Sequence, residues 1–394
     1  MENLSKLYSF KTEFKKKLKV LHLCSDFANK NIYKQLVTHL EEINISQVVY
    51  SAVRTEAEAK WKSKKQSDTE YCLRYILRPY HRLFFRAKIR KVSQDLYEYI
   101  DLSNIGLVHA HFLYSDGAVA LQLKKKLSIP YIVAVRNTDI NIFRRYRPDL
   151  TCISNEVLRN ASRVVFISPA YRNQFLSSLR PNMRIPIEQK AVVVPNGLES
   201  NWLTFAPPAY KSYGDLLRII YVGDFNKNKN IPGILQAISI LAVKQNVNLT
   251  LVGGGGNGER EVKKLLSSGK YNFVRYLGKI ENGPKLRAIY REHDLFIMPS
   301  FRETFGVVYI EALSQGLPII YSHGQAVDGY FPQGTISEDV DPRSPVDIAN
   351  KIQILANRRK HITQKCVVEA KKFAWSQIAK TYKKIYASVL LNDM

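Results

Sequence analysis

The chain has 394 residues, room for two domains that each bury a core, and a hydrophobic content of 45%, which excludes an intrinsically disordered chain. Its 59 Lys and Arg outnumber 34 Asp and Glu, and the formal charge of +25 favours anionic partners: nucleotides, phosphorylated lipids, a membrane surface or nucleic acid. No apolar run approaches the length of a bilayer span. The amino-terminal Met-Glu-Asn-Leu-Ser-Lys-Leu-Tyr has no signal-peptide apolar core, so a cytoplasmic location is expected. Cys24, Cys72, Cys152 and Cys366 are scattered, which fits neither a zinc site nor a disulfide framework and predicts free thiols.

Short apolar runs predict strands at Lys19–Cys24, Gln47–Val53, Leu107–Phe112, Tyr131–Arg136, Val164–Ser168 and Ala191–Val194. Helices are expected over Ile32–Glu42, Asp116–Leu127 and Ala170–Leu179. The stretch Phe205–Gly214, with two prolines and a glycine, breaks the alternation and reads as a linker. Strands resume at Leu217–Val222, Asn248–Val252, Phe273–Leu277, Leu295–Met298 and Pro318–Tyr321, with helices between them. Such alternation implies parallel sheets covered on both faces. The tail, Phe373–Tyr386, reads as an amphipathic helix with Ile378, Tyr382 and Ile385 on one face.

Between Tyr71 and Val92, Arg74, Arg78, Arg82, Arg86 and Arg90 recur every four residues, interleaved with Tyr75, Tyr80, Phe84 and Phe85. On a helix this spacing makes a slowly spiralling basic stripe, which Pro79 could kink or split. An anionic membrane leaflet suits such a surface. A solvated helix face packed by its aromatics is the alternative. No RNA- or DNA-binding motif is present, so nucleic acid is not expected as a partner.

The most informative stretch runs from Pro299 to Pro318. It follows a buried strand, opens a loop at Pro299–Thr304, and then shows helical spacing from Phe305 to Gln315, closed by Gly316 and Pro318. Glu303 and Glu311 stand in it with seven residues between them, and Phe305-Gly306 comes just after the first. A helix opening at the carboxyl end of a parallel strand points free N–H groups at any anion bound there. This stretch resembles the donor-site signature of the retaining glycosyltransferases of family 4 (glycosyltransferase group 1), which have the GT-B fold.

That resemblance implies two Rossmann-like parallel-sheet domains facing across a cleft. It predicts an acceptor-binding domain over 1–205, a linker over 206–214, a nucleotide-sugar-binding domain over 215–374, and a closing helix over 375–394 that crosses back to the first domain. It implies that Glu303 lies against the donor sugar as a catalytic candidate, that Glu311 binds the ribose hydroxyls, and that the amides of Phe305, Gly306 and Val307 reach sugar and phosphate oxygens. Thr304 falls in the same donor loop. A carboxylate is suited to accept two hydroxyl donors. In Tyr221-Val-Gly-Asp-Phe-Asn-Lys-Asn-Lys229, Gly223 matches the family glycine and Lys229 the lysine that meets the donor diphosphate, a second catalytic candidate. Asp224 stands where the family has arginine, and a carboxylate near a diphosphate is repulsive. Gly253 matches a glycine-rich turn beside the nucleotide, and Lys279 and Ile280 a segment near the base.

On the acceptor side the matching positions are Asp26, His109, His111, Arg136 and Asp139. Arg136 and Asn137 replace the family's His-Gly, and Arg136 stays protonated, so it can hold a phosphate but cannot act as a general base. His109 and His111 are read as facing opposite sides of their strand, either as site residues or as packed ones. The resemblance implies no metal and no other cofactor. The expected partners are a nucleotide sugar donor and a glycan or lipid-linked acceptor. The expected reaction is transfer of a hexose-type sugar from a UDP- or GDP-linked donor, with retention, in bacterial surface-polysaccharide assembly. The alternatives are a nucleotide-sugar epimerase on the same fold and a non-catalytic relative that binds nucleotide sugars.

Overall fold

A computed structural model describes residues 19–61, 67–205, 207, 213–281 and 283–392. It divides into two compact units. The first takes in the chain up to Ile167, Phe175–Val194 and the chain from Ser376, and the second Ser168–Gln174 and Pro195–Trp375. The expected linker lies largely outside the described residues.

The sheet of the first unit has seven strands: β1 (Lys19–Leu23), β2 (Ser46–Val53), β3 (Glu70–Tyr75), β4 (Ile105–Ala110), β5 (Tyr131–Val135), β6 (Arg163–Phe166) and β7 (Ala191–Val193). Their order is β3-β2-β1-β4-β5-β6-β7, and every pairing is parallel. Helices α1 (Asn31–Glu41), α2 (Glu56–Ala59), α3 (Phe85–Tyr99), α4 (Ser115–Leu127), α5 (Thr151–Asn160), α6 (Pro169–Ser177) and α7 (Pro181–Lys190) alternate with the strands. All five residues of β5 are buried, as expected for a strand covered on both faces.

The second unit holds α8 (Ser200–Thr204), β8 (Leu217–Gly223), α9 (Ile231–Ala242), β9 (Val247–Gly253), α10 (Glu259–Leu266), β10 (Val274–Tyr276), α11 (Gly283–Arg291), β11 (Leu295–Ile297), α12 (Val307–Ser314), β12 (Ile319–Ser322), β13 (Ser337–Val340) and α13 (Pro345–Lys371). Its six strands are ordered β10-β9-β8-β11-β12-β13, again all parallel. The final helix, α14 (Trp375–Asn392), belongs to the first unit from Ser376 onward. Strand order reverses between β1 and β4 in one unit and between β8 and β11 in the other. Outside the carboxyl ends of strands at such a reversal, a doubly wound sheet leaves a crevice for ligands. No helix among the described residues is long and apolar enough to cross a membrane.

Two expectations are corrected. The basic segment is not one helix: it runs through β3, a 3₁₀ turn at Pro79–Arg82 and the start of α3. β3 pairs with β2 in a parallel backbone ladder, and Pro79 opens the turn, so the four-residue spacing of the arginines has no helical meaning before Phe85. Arg74 leaves the stripe altogether, bonding Asp95 at 3.2 Å and lying 3.4 Å from the centre of the Tyr99 ring. His109 and His111 share one face, as residues two apart in extended chain must, and their rings stack at 4.0 Å.

Candidate active site

In the second unit, the loops leaving β8 and β11 meet at the strand-order reversal. Lys229, at the end of a 3₁₀ turn after β8, places its Nζ 2.5 Å from Glu303 Oε2 in the loop after β11. Both side chains are mostly buried, at 18% and 16% exposure. The two loops are also tied through backbone: Asn228 Nδ2 donates to the Arg302 carbonyl at 2.6 Å, and the Phe301 amide donates to the Asn228 carbonyl at 2.8 Å. Glu303 is fixed from its other side, since its amide donates to Gln325 Oε1 and its carbonyl accepts from the Ala326 amide. The Thr304 amide donates to Glu303 Oε1 at 2.9 Å. An ammonium and a carboxylate are thus brought together where the two loops meet.

Helix α12 begins immediately afterwards. Gly306 precedes it with φ +70, and a Cβ there would meet the Tyr309 ring at 2.5 Å, so only glycine makes this turn. No side chain caps the helix, which leaves its first amides available to an anion. Phe305 is 2% exposed and packs near Tyr330 and Phe373, so only its backbone can face a ligand. Val307 opens the first turn. Glu311 lies one turn on, where burial pushes its carboxyl up to about 7; the Glu199 carboxylate adds to the rise and the Tyr290 hydroxyl opposes it.

The glycine-rich turn after β9 locks onto the β8 loop. The Phe225 amide donates to the Gly255 carbonyl at 3.0 Å and the Gly258 amide to the Phe225 carbonyl at 2.8 Å. Gly223 and Gly253 pair across the ends of the two strands. Asp224 is exposed, with its carbonyl accepting from Tyr221 Oη at 2.7 Å. Lys279 is exposed and paired with Glu281 at 2.7 Å, and Ile280 is half-buried beside it.

In the first unit, His109 and His111 belong to a buried imidazole cluster with His22. Register pairs His22 of β1 with His109 of β4. His22 Nδ1 lies 3.0 Å from His111 Nε2, and His109 Nδ1 lies 2.8 Å from Tyr386 Oη of α14. Burial lowers the His22 pKa to about 3; burial and their neighbours hold the other two well below the usual range, so all three are neutral. Their ligand atoms lie within 4.8 Å of one another, close enough to hold a metal ion. Asp139 is 1% exposed, and its Oδ2 accepts from the Leu113 and Arg136 amides at 3.1 and 2.8 Å. Burial raises its carboxyl to about 6, and those amides pull it back. Arg136 lies over the Tyr33 ring at 5.7 Å. Asp26 is half-buried in the turn after β1, its carbonyl accepting from the Asn29 and Lys30 amides.

Residues 35–202 match the family described as Glycosyltransferase Family 4, and residues 205–373 the family described as Glycosyl transferases group 1. The chain belongs to glycosyltransferase family 4. An uncharacterized glycosyltransferase of Methanocaldococcus jannaschii is 24% identical over 323 residues, spanning 79% of this chain and 82% of that protein. The lipopolysaccharide outer core galactosyltransferase WaaB superposes with a TM-score of 0.71 at 15% identity, over 96% of this chain and 100% of the other. Anabaena HepE, solved with UDP and glucose, superposes with a TM-score of 0.62 at 18% identity, over 94% and 100%. These likenesses give the glycosyltransferase the GT-B fold.

Sequence reading of this glycosyltransferase missed His22, Gln325 and the pair Glu199 and Tyr290. His22 is a lone histidine in an apolar strand, and only the adjacency of β1 and β4 reveals its partners. Gln325 and Tyr290 carry no local signal, because their contacts depend on how separate loops converge.

Proposed function

We propose that this glycosyltransferase moves a hexose-type sugar from a UDP- or GDP-linked donor to a glycan or lipid-linked acceptor, with retention and without a metal, in bacterial surface-polysaccharide assembly in the cytoplasm. The Lys229–Glu303 pair carries the reading: it sits at the strand-order reversal beside an uncapped helix amino end. When the donor arrives, Lys229 turns from Glu303 to the diphosphate and stabilises the charge that builds on the leaving oxygen. Glu303 is thereby released to accept sugar hydroxyls. The amides of Phe305, Gly306 and Val307 hold the phosphates, and Glu311 takes the ribose hydroxyls. Cationic and amide donors together do the work a divalent ion would do. The exposure of Asp224 supports a site that tolerates it, since its charge can stay in water. HepE was solved with UDP and glucose, and WaaB is named for lipopolysaccharide core synthesis; both support the donor class and the pathway.

The test is a titration with UDP- and GDP-sugars in EDTA. One donor is expected to raise the melting temperature and, with an acceptor extract, to yield transferred sugar; epimerised donor without acceptor would contradict transfer. The rise should also depend on pH. Ionised Glu311 accepts hydroxyls, so donor affinity should climb up to about tenfold from pH 6 to 8 as its ionised fraction passes from about a tenth to about nine-tenths. A nucleotide sugar is a diphosphate diester and does not titrate there. Its raised pKa has the opposite effect on the free protein, which loses stability as pH rises from about 4.5 through about 7. Glu311→Gln should flatten the affinity profile; an unchanged profile would remove the ribose assignment.

Peripheral attachment to an anionic leaflet is part of the same proposal. Tyr80, Leu83 and Phe84 are 52%, 75% and 62% exposed at the turn before α3, and Arg78, Arg82, Arg86 and Arg90 are exposed around them. Each arginine near such a surface is worth about 1 kcal/mol. An apolar groove of ≈ 670 Å³ between α3 and α4 continues the patch, with Arg86, Arg90, Lys125 and Lys126 along it. The protein should co-sediment with phosphatidylglycerol vesicles and not with phosphatidylcholine ones, and the double variant Leu83→Ser, Phe84→Ser should remain in the supernatant. Equal sedimentation by both proteins would exclude this face.

A further inference from the structure

The buried imidazoles of the first unit hold more polarity than a core needs. β1 and β4 are neighbours in the parallel sheet, and their register sets His22 opposite His109. His111 follows two positions later and takes the same face. The three rings form a compact triangle, with centroids 5.3, 5.3 and 4.0 Å apart. The rings of Tyr33, Tyr382 and Tyr386 pack against it. His22 and His109 have no exposed surface, and His111 has 1%.

Hydrogen bonding accounts for part of this cluster only. Among the described residues, His109 Nε2 and His111 Nδ1 are buried without a hydrogen-bond partner. A buried nitrogen left in that state costs stability. The partners that are present orient the rings. His109 Nδ1 lies 2.8 Å from Tyr386 Oη, which leaves Nε2 as its free ligand atom. Gln47 spends its Nε2 on the Val37 carbonyl and the Thr69 hydroxyl. Its contact with His22 raises that ring's pKa against the effect of burial, as an oxygen accepting an imidazole N–H does. Groups that hold one nitrogen of a histidine in this way present the other to a metal. His22 Nδ1 and His111 Nε2 face each other at 3.0 Å. Two nitrogens bound to one tetrahedral zinc ion at about 2.0–2.1 Å stand about 3.3 Å apart, so little movement admits an ion in place of a shared proton. One nitrogen from each of the three rings falls within 4.8 Å of the others.

We propose that His22, His109 and His111 bind a divalent transition-metal ion of the zinc type, through one ring nitrogen each, in the core of the first unit. All three rings are already neutral, as metal ligands must be. Three imidazoles suit zinc or cobalt; magnesium and calcium take oxygen ligands. The Arg136 charge is felt by His109 and His111 and opposes a second cation, which only strong nitrogen ligation offsets. The cluster is closed to solvent, so the ion is structural. It fastens β1 to β4 and, through His109 and Tyr386, helps to seat α14. It takes no part in chemistry at the Lys229–Glu303 pair, which belongs to the second unit.

The test uses the full chain, dialysed against a chelator and titrated with Co²⁺ while visible absorption is recorded. One Co²⁺ per chain is expected to give the intense band of a low-coordinate nitrogen site. Zn²⁺ should abolish the band and raise the melting temperature. Tyr386→Phe keeps all three ligands and the aromatic ring, and losing that partner should weaken Co²⁺ binding about 10–100-fold. His22→Gln and His111→Gln should each weaken it further than Tyr386→Phe does. The Tyr386 variant decides the matter even if a histidine variant fails to fold. His323→Asn alters an imidazole that is 75% exposed beside Asp339, and the band should survive it. Absence of both the band and the Zn²⁺-dependent rise in melting temperature would overturn the site. So would a band indifferent to all three cluster substitutions, or one that His323→Asn removes.

Discussion

Replacing Lys229 by Gln is expected to lower kcat by about 10²–10³-fold, the loss seen when one preorganised charge-stabilising donor is removed from a reacting centre. Its ammonium is held 2.5 Å from Glu303 and mostly shielded from water, so its field is not screened away. Glu303→Gln should fall by a similar factor, because a misplaced sugar forfeits alignment. The two residues act as a unit, and the double variant should therefore lose far less than the product of the single losses. Donor KM should change less than kcat in each case. Steady-state rates for the three variants settle the matter. Full multiplicative loss would mean the residues work independently, and wild-type rates for either single would remove that residue from the chemistry.

The geometry of the candidate site was largely legible because its signals are local. A strand, a loop with Glu303, a glycine turn and a helix with Glu311 follow one another in twenty residues. Lys229 was legible by its distance from Gly223, although its contact with Glu303 spans 74 positions. Elements failed where local pattern and tertiary partner disagree. β13 reads Ser-Glu-Asp-Val, too polar for a strand, yet it pairs with β12. Its charges are met from elsewhere: Lys351 of α13 bonds Glu338 at 2.8 Å, and His323 lies 2.5 Å from Asp339. β3 was hidden by evenly spaced arginines, because a four-residue repeat imitates a helix whatever the backbone does. The imidazole cluster was half read: His109 and His111 stand in one motif, but His22 and Tyr386 lie 87 and 277 positions from His109 and reach it only through the sheet and the last helix.

Gly253→Ala should abolish donor binding and destabilise the second unit by about 2–6 kcal/mol, combining left-handed strain of about 1–3 kcal/mol with overpacking of about the same size. Gly253 has φ +137, and a Cβ there would overlap the Gly223 carbonyl. That carbonyl belongs to the paired residue at the end of β8, so it cannot retreat without parting β8 from β9. The Gly253 amide also donates to the Gly278 carbonyl at 2.9 Å, which ties the segment after β10 to the same point. Parting the strands would carry the β8 loop, and Lys229 with it, away from Glu303. Gly214→Ala is the matched control, since a Cβ there meets nothing within 4 Å. Urea unfolding and nucleotide-sugar titration should separate the two variants, with the control unchanged in both. If Gly253→Ala kept its unfolding midpoint and its donor affinity, the glycine would be a convenience of the turn, and close approach of β8 and β9 would not be what holds Lys229 in place.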